Sequence, residues 1–190
     1  IAAMLFEDRP TLVAVVRDLT ERKAVEAKIR HAALHDSLTG LPNRLRFRQL
    51  VDDRLAQQRE GAGSFTVLGL DLDRFRSIND LFGFTFGDRA IQEMARRFAD
   101  ALGPDDVLAR LTGDEFSVLL DEARRPEEMD AVCAALLGCR DRPVSIEGTD
   151  ASISLRVGLV AITPEDAPPD AHAVIQRLEM TIAAARDDSD

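Results

Sequence analysis

Lysine is nearly missing from this chain. Lys23 and Lys28 are its only two, and beyond them the Lys/Arg positions are all arginine. That excludes a P-loop lysine, a Schiff-base lysine or a kinase-type lysine anywhere after residue 28. Histidine is scarce too, at His31, His35 and His172, and no G-x-S-x-G stretch occurs, which argues against a Ser–His hydrolase. The two cysteines, Cys133 and Cys139, lie six apart on one predicted helix, a spacing that suits neither a disulfide framework nor a zinc site. They read as packing residues in a reducing compartment. Aliphatic runs such as Leu12–Val16 fall far short of the ~20 residues a membrane span needs, and no secretory signal pattern is present. Positive charge is also short: 24 Lys and Arg stand against 34 Asp and Glu, a net charge of −10. Bulk nucleic-acid binding and anchoring to an anionic membrane both want the opposite balance.

What is present is 190 residues, 45% apolar and 31% charged, the composition of a globular protein of about one domain. A chain of this size buries roughly 70% of its unfolded surface, so a real core is available. Chemistry, if any, falls to carboxylates, arginine and a metal. The first residue is Ile1 rather than Met, which predicts a piece cut from a longer chain.

Residues 1–17 read as one turn, at Asp8-Arg9-Pro10, and one β-branched strand over Thr11–Val16, the tail of a preceding domain. Asp18 and Glu21 have capping-box spacing, so a helix is predicted from about Leu19 to Leu34. It is charged along much of its length. It reads equally as a solvated linker and as a signalling helix that pairs with its copy in a dimer. The charge balance changes at Asp36: residues 1–35 carry net +1, residues 36–190 net −11. The domain boundary is placed there, giving 1–17, 18–35 and 36–190.

Beyond it, apolar periodicity predicts helices at Arg44–Gln58, Arg74–Leu81, Thr85–Leu102, Pro126–Arg140 and Asp170–Arg186. Strands are predicted at Ser64–Asp71, Val107–Leu111, Phe116–Leu120, Pro143–Ile146 and Ile153–Ile162. The fold class is α+β, with helices on a mostly antiparallel sheet.

Two places set acids where a strand stops: Asp71-Leu72-Asp73, and Gly113-Asp114-Glu115 at a hairpin tip. If the hairpin lies beside the central strand, Asp71 and Asp114 face each other at one sheet edge. Clustered carboxylates of this kind hold Mg²⁺, which takes its other ligands from water and a substrate phosphate. Two such ions can clamp an in-line phosphoryl displacement. Taken singly, each motif is more often an ordinary turn.

Three motifs in order carry a resemblance. Asp71-Leu72-Asp73-Arg74-Phe75-Arg76-Ser77-Ile78-Asn79-Asp80-Leu81-Phe82-Gly83-Phe84-Thr85-Phe86-Gly87-Asp88 resembles the D-x-D-x-F-K-x-x-N-D-x-x-G-H-x-x-G-D segment of GGDEF domains. Arg110-Leu111-Thr112-Gly113-Asp114-Glu115-Phe116 resembles their R-x-G-G-D-E-F loop, and Asp36 to Arg44 their D-x-L-T-G-L-x-N-R opening. The likeness covers about residues 36–186. Residues 15–23 resemble the end of a PAS sensor domain and its exit helix. GGDEF domains are diguanylate cyclases, which condense two GTP into cyclic di-GMP on a fold related to nucleotide-polymerase palms.

The resemblance implies roles. Asp71, Asp114 and the Leu72 carbonyl would hold Mg²⁺ or Mn²⁺, with Glu115 and Asp114 as catalytic carboxylates at the metal and phosphates. Asn79 and Asp88 would read guanine. Independently, a carboxylate accepts from guanine's ring N–H and amino group, where adenine offers an unprotonated nitrogen. Arg76 and Arg186 stand where phosphate-contacting lysines are usual, and Gly113 would let the hairpin approach the nucleotide. Departures surround these residues: Thr112 for Gly, Phe84 for His, Arg156 for Ser, Ala183 for Tyr, and Asp190 for a terminal Arg. The R-x-x-D product-inhibition site of many relatives aligns with Gly103-Pro104-Asp105-Asp106, where Gly103 replaces the arginine, so no tight product inhibition is expected.

The expected function is a weak or conditional diguanylate cyclase. Each domain would bind one GTP, and two would work face to face as a homodimer held by the linker helix. The alternative is a catalytically silent GTP-binding or dimerisation module regulating a neighbouring output domain, such as a phosphodiesterase. Expected partners are GTP, a second copy, an upstream PAS domain and a downstream phosphodiesterase, with no nucleic acid. The expected location is the bacterial cytoplasm, with tethering of the full-length protein to a membrane left open.

Overall fold

The computed structural model describes residues 2–6, 9–13, 20–120 and 126–187. They fall into two compact units, residues 1–33 and 34–190.

In the first unit, β1 (Ala2–Phe6) and β2 (Arg9–Val13) form an antiparallel hairpin. The sequence reading missed β1, and it placed in a turn Arg9 and Pro10, which pair with Phe6 and Leu5. Pro10 is tolerated because a two-stranded ribbon is all edge. The expected strand residues 14–16 and the capping residue Asp18 lie outside the described residues. Helix α1 runs Thr20–Leu34, close to expectation. Its Val25 and Ile29, four apart on one face, are both exposed.

The second unit is built on a four-stranded antiparallel sheet in the order β4-β5-β3-β8. β3 (Phe65–Asp73) is central, between β5 (Glu115–Leu120) and β8 (Ser154–Ile162), and β4 (Val107–Thr112) is at the edge. β3 is buried on both faces, which explains its nearly continuous apolar run. Alternate residues point to opposite faces. Leu68, Leu70 and Leu72 join a core with α3 (Phe75–Phe82), α4 (Phe84–Asp100) and α5 (Pro126–Gly138). Phe65 and Val67 join a second core with α2 (Arg44–Arg59) and α6 (Ala171–Asp187). This is the expected α+β architecture, helices covering both faces of the sheet.

Gly69 of β3 and Gly158 of β8 are register partners under α6. A Cβ on Gly69 would lie 2.5 Å from Ile182, and one on Gly158 2.5 Å from Thr181. The glycine pair therefore lets α6 settle onto the sheet.

Three local expectations change. A small ribbon of β6 (Val144–Ile146) and β7 (Thr149–Ala151) stands where one strand was expected, its turn made by Glu147 and Gly148, both with positive φ. Cys139 lies just past the end of α5, buried, with its thiol donating to the carbonyls of Arg97 and Ala135. On α4, the apolar spacing in the sequence puts Ala99 on the inward face, yet Ala99 is exposed while Arg97 is buried, because the Arg97 guanidinium donates to the carbonyls of Cys139, Arg142 and Pro143. No helix among the described residues is long and apolar enough to cross a membrane.

Candidate functional site

The acids meet at the end of the sheet where β3 runs out. Antiparallel register places Glu115 of β5 on one side of Asp71 and Arg156 of β8 on the other. Directly paired residues share a face, so Glu115, Asp71 and Arg156 form one row across three strands. Asp73, two residues on, shares that face. The expectation that the hairpin lies beside the central strand is met, but the carboxylate opposite Asp71 is Glu115. Asp114 sits at the hairpin tip, where its carbonyl accepts from the Leu72 N–H at 3.2 Å. The two segments expected to hold a metal are thus tied through their backbones.

Electrostatics follow from this crowding. Glu115 is pushed up from the ordinary glutamate value, first by burial and then by the charges of Asp114 and Asp71. Acidic groups outnumber the one arginine, Arg156, in this row. Asp71 and Asp114, with the Leu72 carbonyl, offer the hard oxygens Mg²⁺ prefers. Mg²⁺ needs only one or two carboxylates because phosphates and water complete its shell. The set fits the ion on that basis, although no three acidic, histidine or cysteine groups close into a cluster among the described residues.

On the far side of the hairpin tip a cleft of about 360 Å³ is lined by Arg76, Asn79, Phe84, Asp88, Gly113 and Asp114, among others. Both expected guanine readers lie in it. They are brought together by Gly87: a Cβ there would lie 1.9 Å from Asn79 Oδ1. Sequence reasoning quoted Gly87 in its motif without giving it this task. Arg76 stands exposed at the rim, 4.0 Å from Asp80. Phe84 is 79% exposed, an open aromatic face beside the cleft. Gly113 takes φ +35, and a Cβ on it would meet nothing within 4 Å. Its demand within the chain is conformational rather than steric. Thr112 is exposed and pairs with Glu115 across an irregularity in the β4–β5 ladder, so its side chain does not crowd the core.

A second, smaller cleft of about 110 Å³ lies against α6, lined by Asp71, Glu115, Ser117, Glu179 and Ala183 among others. Ala183 contributes only a methyl there. The Ser117 hydroxyl, fully buried, has no hydrogen-bond partner. Arg186 falls in α6, but its side chain and Asp190 are outside the described residues.

Arg110 joins the motifs. Its Nε and Nη2 donate to the Gly113 carbonyl at 2.9 and 2.7 Å, and its Nη1 donates to Asp36 Oδ1 at 2.9 Å. Asp36 also accepts from the Thr39 N–H and hydroxyl. Burial alone would raise the Asp36 carboxyl; the Thr39 and Arg110 bonds outweigh it and hold it below its usual value. Before β4, the Gly103 N–H donates to Asp106 Oδ2 at 2.8 Å, closing the segment as a turn.

The residue sequence reasoning misjudged is Arg156. It was noted only as a departure. Its Nη2 lies 2.8 Å from Asp71 Oδ1 and 2.6 Å from Asp73 Oδ1, and its Nε donates to Asp71 Oδ1 at 3.2 Å. Burial works against its charge, but the two carboxylates prevail and raise its pKa above the usual arginine value. The alternation in β8 could have put Arg156 on a defined face; only the register shows that Asp71 lies opposite.

Comparison with known proteins agrees with this geometry. The family described as "Diguanylate cyclase, GGDEF domain" matches residues 33–189. The diguanylate cyclase TpbB of Pseudomonas aeruginosa is 34% identical over 161 residues, 84% of this chain and 37% of that protein. The bifunctional diguanylate cyclase/cyclic di-GMP phosphodiesterase MucR of the same species is 41% identical over 138 residues, covering 70% of this chain and 19% of MucR. The chain thus spans well under half the length of these relatives. Among solved structures, the isolated GGDEF domain of TpbB superposes with a TM-score of 0.75 at 32% identity, over 82% of this chain and 90% of that one. The coiled coil and GGDEF domain of DgcB from Caulobacter crescentus, in complex with c-di-GMP, superposes with a TM-score of 0.80 at 22% identity, over 90% of each, and so shares the fold. With the opening loop, the Asp71–Asp88 segment and the Asp114–Glu115 hairpin assembled at one end of an α+β sheet, and 157 matched residues behind them, the chain belongs to the GGDEF family of diguanylate cyclases.

Proposed function

We propose that this domain binds GTP with Mg²⁺ or Mn²⁺ and condenses two GTP into cyclic di-GMP, one GTP from each of two facing copies. The observation that carries the reading is the adjacency of the Asn79–Asp88 cleft to the Asp71, Asp114 and Glu115 carboxylates across a single hairpin tip. A nucleotide with its base in that cleft would direct its phosphates toward those acids. Asp71, Asp114 and the Leu72 carbonyl would hold the metal, which when bound supplies positive charge to the triphosphate. Asp88 offers two acceptors to guanine, Asn79 adds an amide, and Arg76 at the rim adds charge toward phosphate. Glu115, pushed up by burial and by the charges of Asp114 and Asp71, would serve with Asp114 as a catalytic carboxylate at the metal and phosphates.

One domain holds one nucleotide, so the product requires a second copy. The exposed Val25 and Ile29 on α1 offer a helix face for pairing two chains. Residues 1–17 would end a PAS domain upstream. A specific observation also favours a second reading: Arg156 occupies Asp71 and Asp73. Under that reading the domain is a silent GTP-binding module serving a neighbouring output domain, such as a phosphodiesterase.

Titration calorimetry with GTP tests what both readings share. Asp71→Ala and Asp114→Ala are each expected to weaken Mg²⁺-dependent GTP binding by tenfold or more. Unchanged affinity in both would contradict the site.

A further inference from the structure

The Arg156 guanidinium sits where a cation is wanted. Its side chain is 15% exposed, and those of Asp71 and Asp73 are 8% and 26% exposed. It bridges two carboxylates that project from the same face of one strand. It uses the same Asp71 oxygen twice, through Nε and Nη2. Charge-assisted bonds of this length are among the stronger polar contacts. Neighbours on both sides are acidic: Glu115 lies across β5 from Asp71, and Asp114 caps the hairpin tip. The row therefore reads minus, minus, plus, with the plus supplied by the chain itself.

We propose that Arg156 is a tethered cation that competes with the divalent metal for Asp71, so that a metal ion must displace the guanidinium before it can engage this carboxylate. The proposal rests on the metal–GTP reading above and gives that site a built-in threshold. The argument is electrostatic and steric. Asp71 Oδ1 already accepts two N–H groups, and a cation on that oxygen would stand within contact distance of a second full positive charge. At such separations a like-charge interaction in a half-buried setting is several-fold stronger than in water. Metal affinity should therefore be low in the resting domain. It should rise when the nucleotide's phosphates bring enough negative charge to draw either the metal in or Arg156 away.

The test is direct metal binding, read by Mn²⁺ electron paramagnetic resonance on the metal-free 190-residue chain, without nucleotide and without turnover. Arg156→Gln keeps an N–H donor at about the Nε position and removes the charge and the Nη groups. It is expected to bind Mn²⁺ at least tenfold more tightly than the parent, and adding Asp71→Asn should cancel the gain. The thermal shift on adding Mn²⁺ should likewise be larger for Arg156→Gln. Arg156→Ser serves as the second variant if the glutamine protein does not fold. Equal Mn²⁺ affinity in parent and variant, with binding still lost on Asp71→Asn, would overturn the inference and leave the metal–GTP site standing. Mn²⁺ binding that ignores Asp71→Asn in both proteins, or its absence from both, would overturn the metal reading and this inference with it.

Discussion

Asp88 and Glu115 do opposite things with a carboxylate. Asp88 is exposed at its cleft, where the proposed reading has it accept from guanine. Asp88→Asn replaces one of two acceptors with a donor, which guanine's N–H and amino groups cannot use. A bidentate base contact discriminates by about 1–3 kcal/mol, so the preference for GTP over ATP should fall by tenfold or more in competition binding. An unchanged ratio would show that base choice lies elsewhere. Glu115 is raised by burial and by its acidic neighbours. A carboxyl whose pKa is raised on folding contributes its stability below about 4.5, the unfolded value, and loses it as pH rises through the folded value. At neutral pH the charged Glu115 therefore works against the metal-free fold. Glu115→Gln should raise the melting temperature of the metal-free domain at pH 7 and give no gain below pH 4.5, while cyclic di-GMP synthesis falls. A lower melting temperature at pH 7 would contradict this assignment of charge.

At the scale of elements, what holds the site is the clasp between the opening loop and the hairpin. Arg110, 13% exposed, spans Asp36 and the Gly113 carbonyl. Arg110→Ala leaves the partly buried Asp36 with only its Thr39 bonds and no countercharge, and frees the hairpin tip. The expected cost is about 2 kcal/mol of unfolding free energy, read by urea denaturation, together with weaker GTP binding. A loss confined to binding, with stability intact, would mean the clasp is not structural. The same elements show what the sequence carries. Helix α4 was legible because its apolar residues have a strong helical period, with Ala90, Ile91, Met94 and Phe98 buried along it, and the central strand because its apolar run is nearly continuous. The acid-bearing turns were legible because their motifs are local. Cross-strand register was not, since it is settled by packing between segments 44 to 85 residues apart, as for Asp71 with Glu115 and with Arg156. Strand β1 was missed because Ala2–Phe6 is apolar throughout and shows no alternation, and β7 because Thr149–Ala151 carries only three residues. Buried Arg97 was missed because its acceptors are backbone carbonyls from a later loop.

For the whole molecule, the proposed function has two copies, each with one GTP, make one cyclic product. Under that reading a single domain cannot suffice, and the exposed Val25–Ile29 face of α1 is the face proposed for pairing. Arg156 at Asp71 and Asp73, and the exposed Phe84 beside the cleft, leave the carboxylates and the cleft in place. The most direct measurement is the initial rate of cyclic di-GMP formation from GTP and Mn²⁺, followed by chromatography over a range of protein concentrations. Parent, Asp114→Ala and a chain lacking residues 1–35 would be compared. The expected result is product from the parent with a specific activity that climbs with protein concentration, a weaker and later climb without residues 1–35, and none from Asp114→Ala. Absence of product at every concentration while GTP still binds, or a specific activity independent of concentration in a protein that sediments as a monomer, would contradict the account.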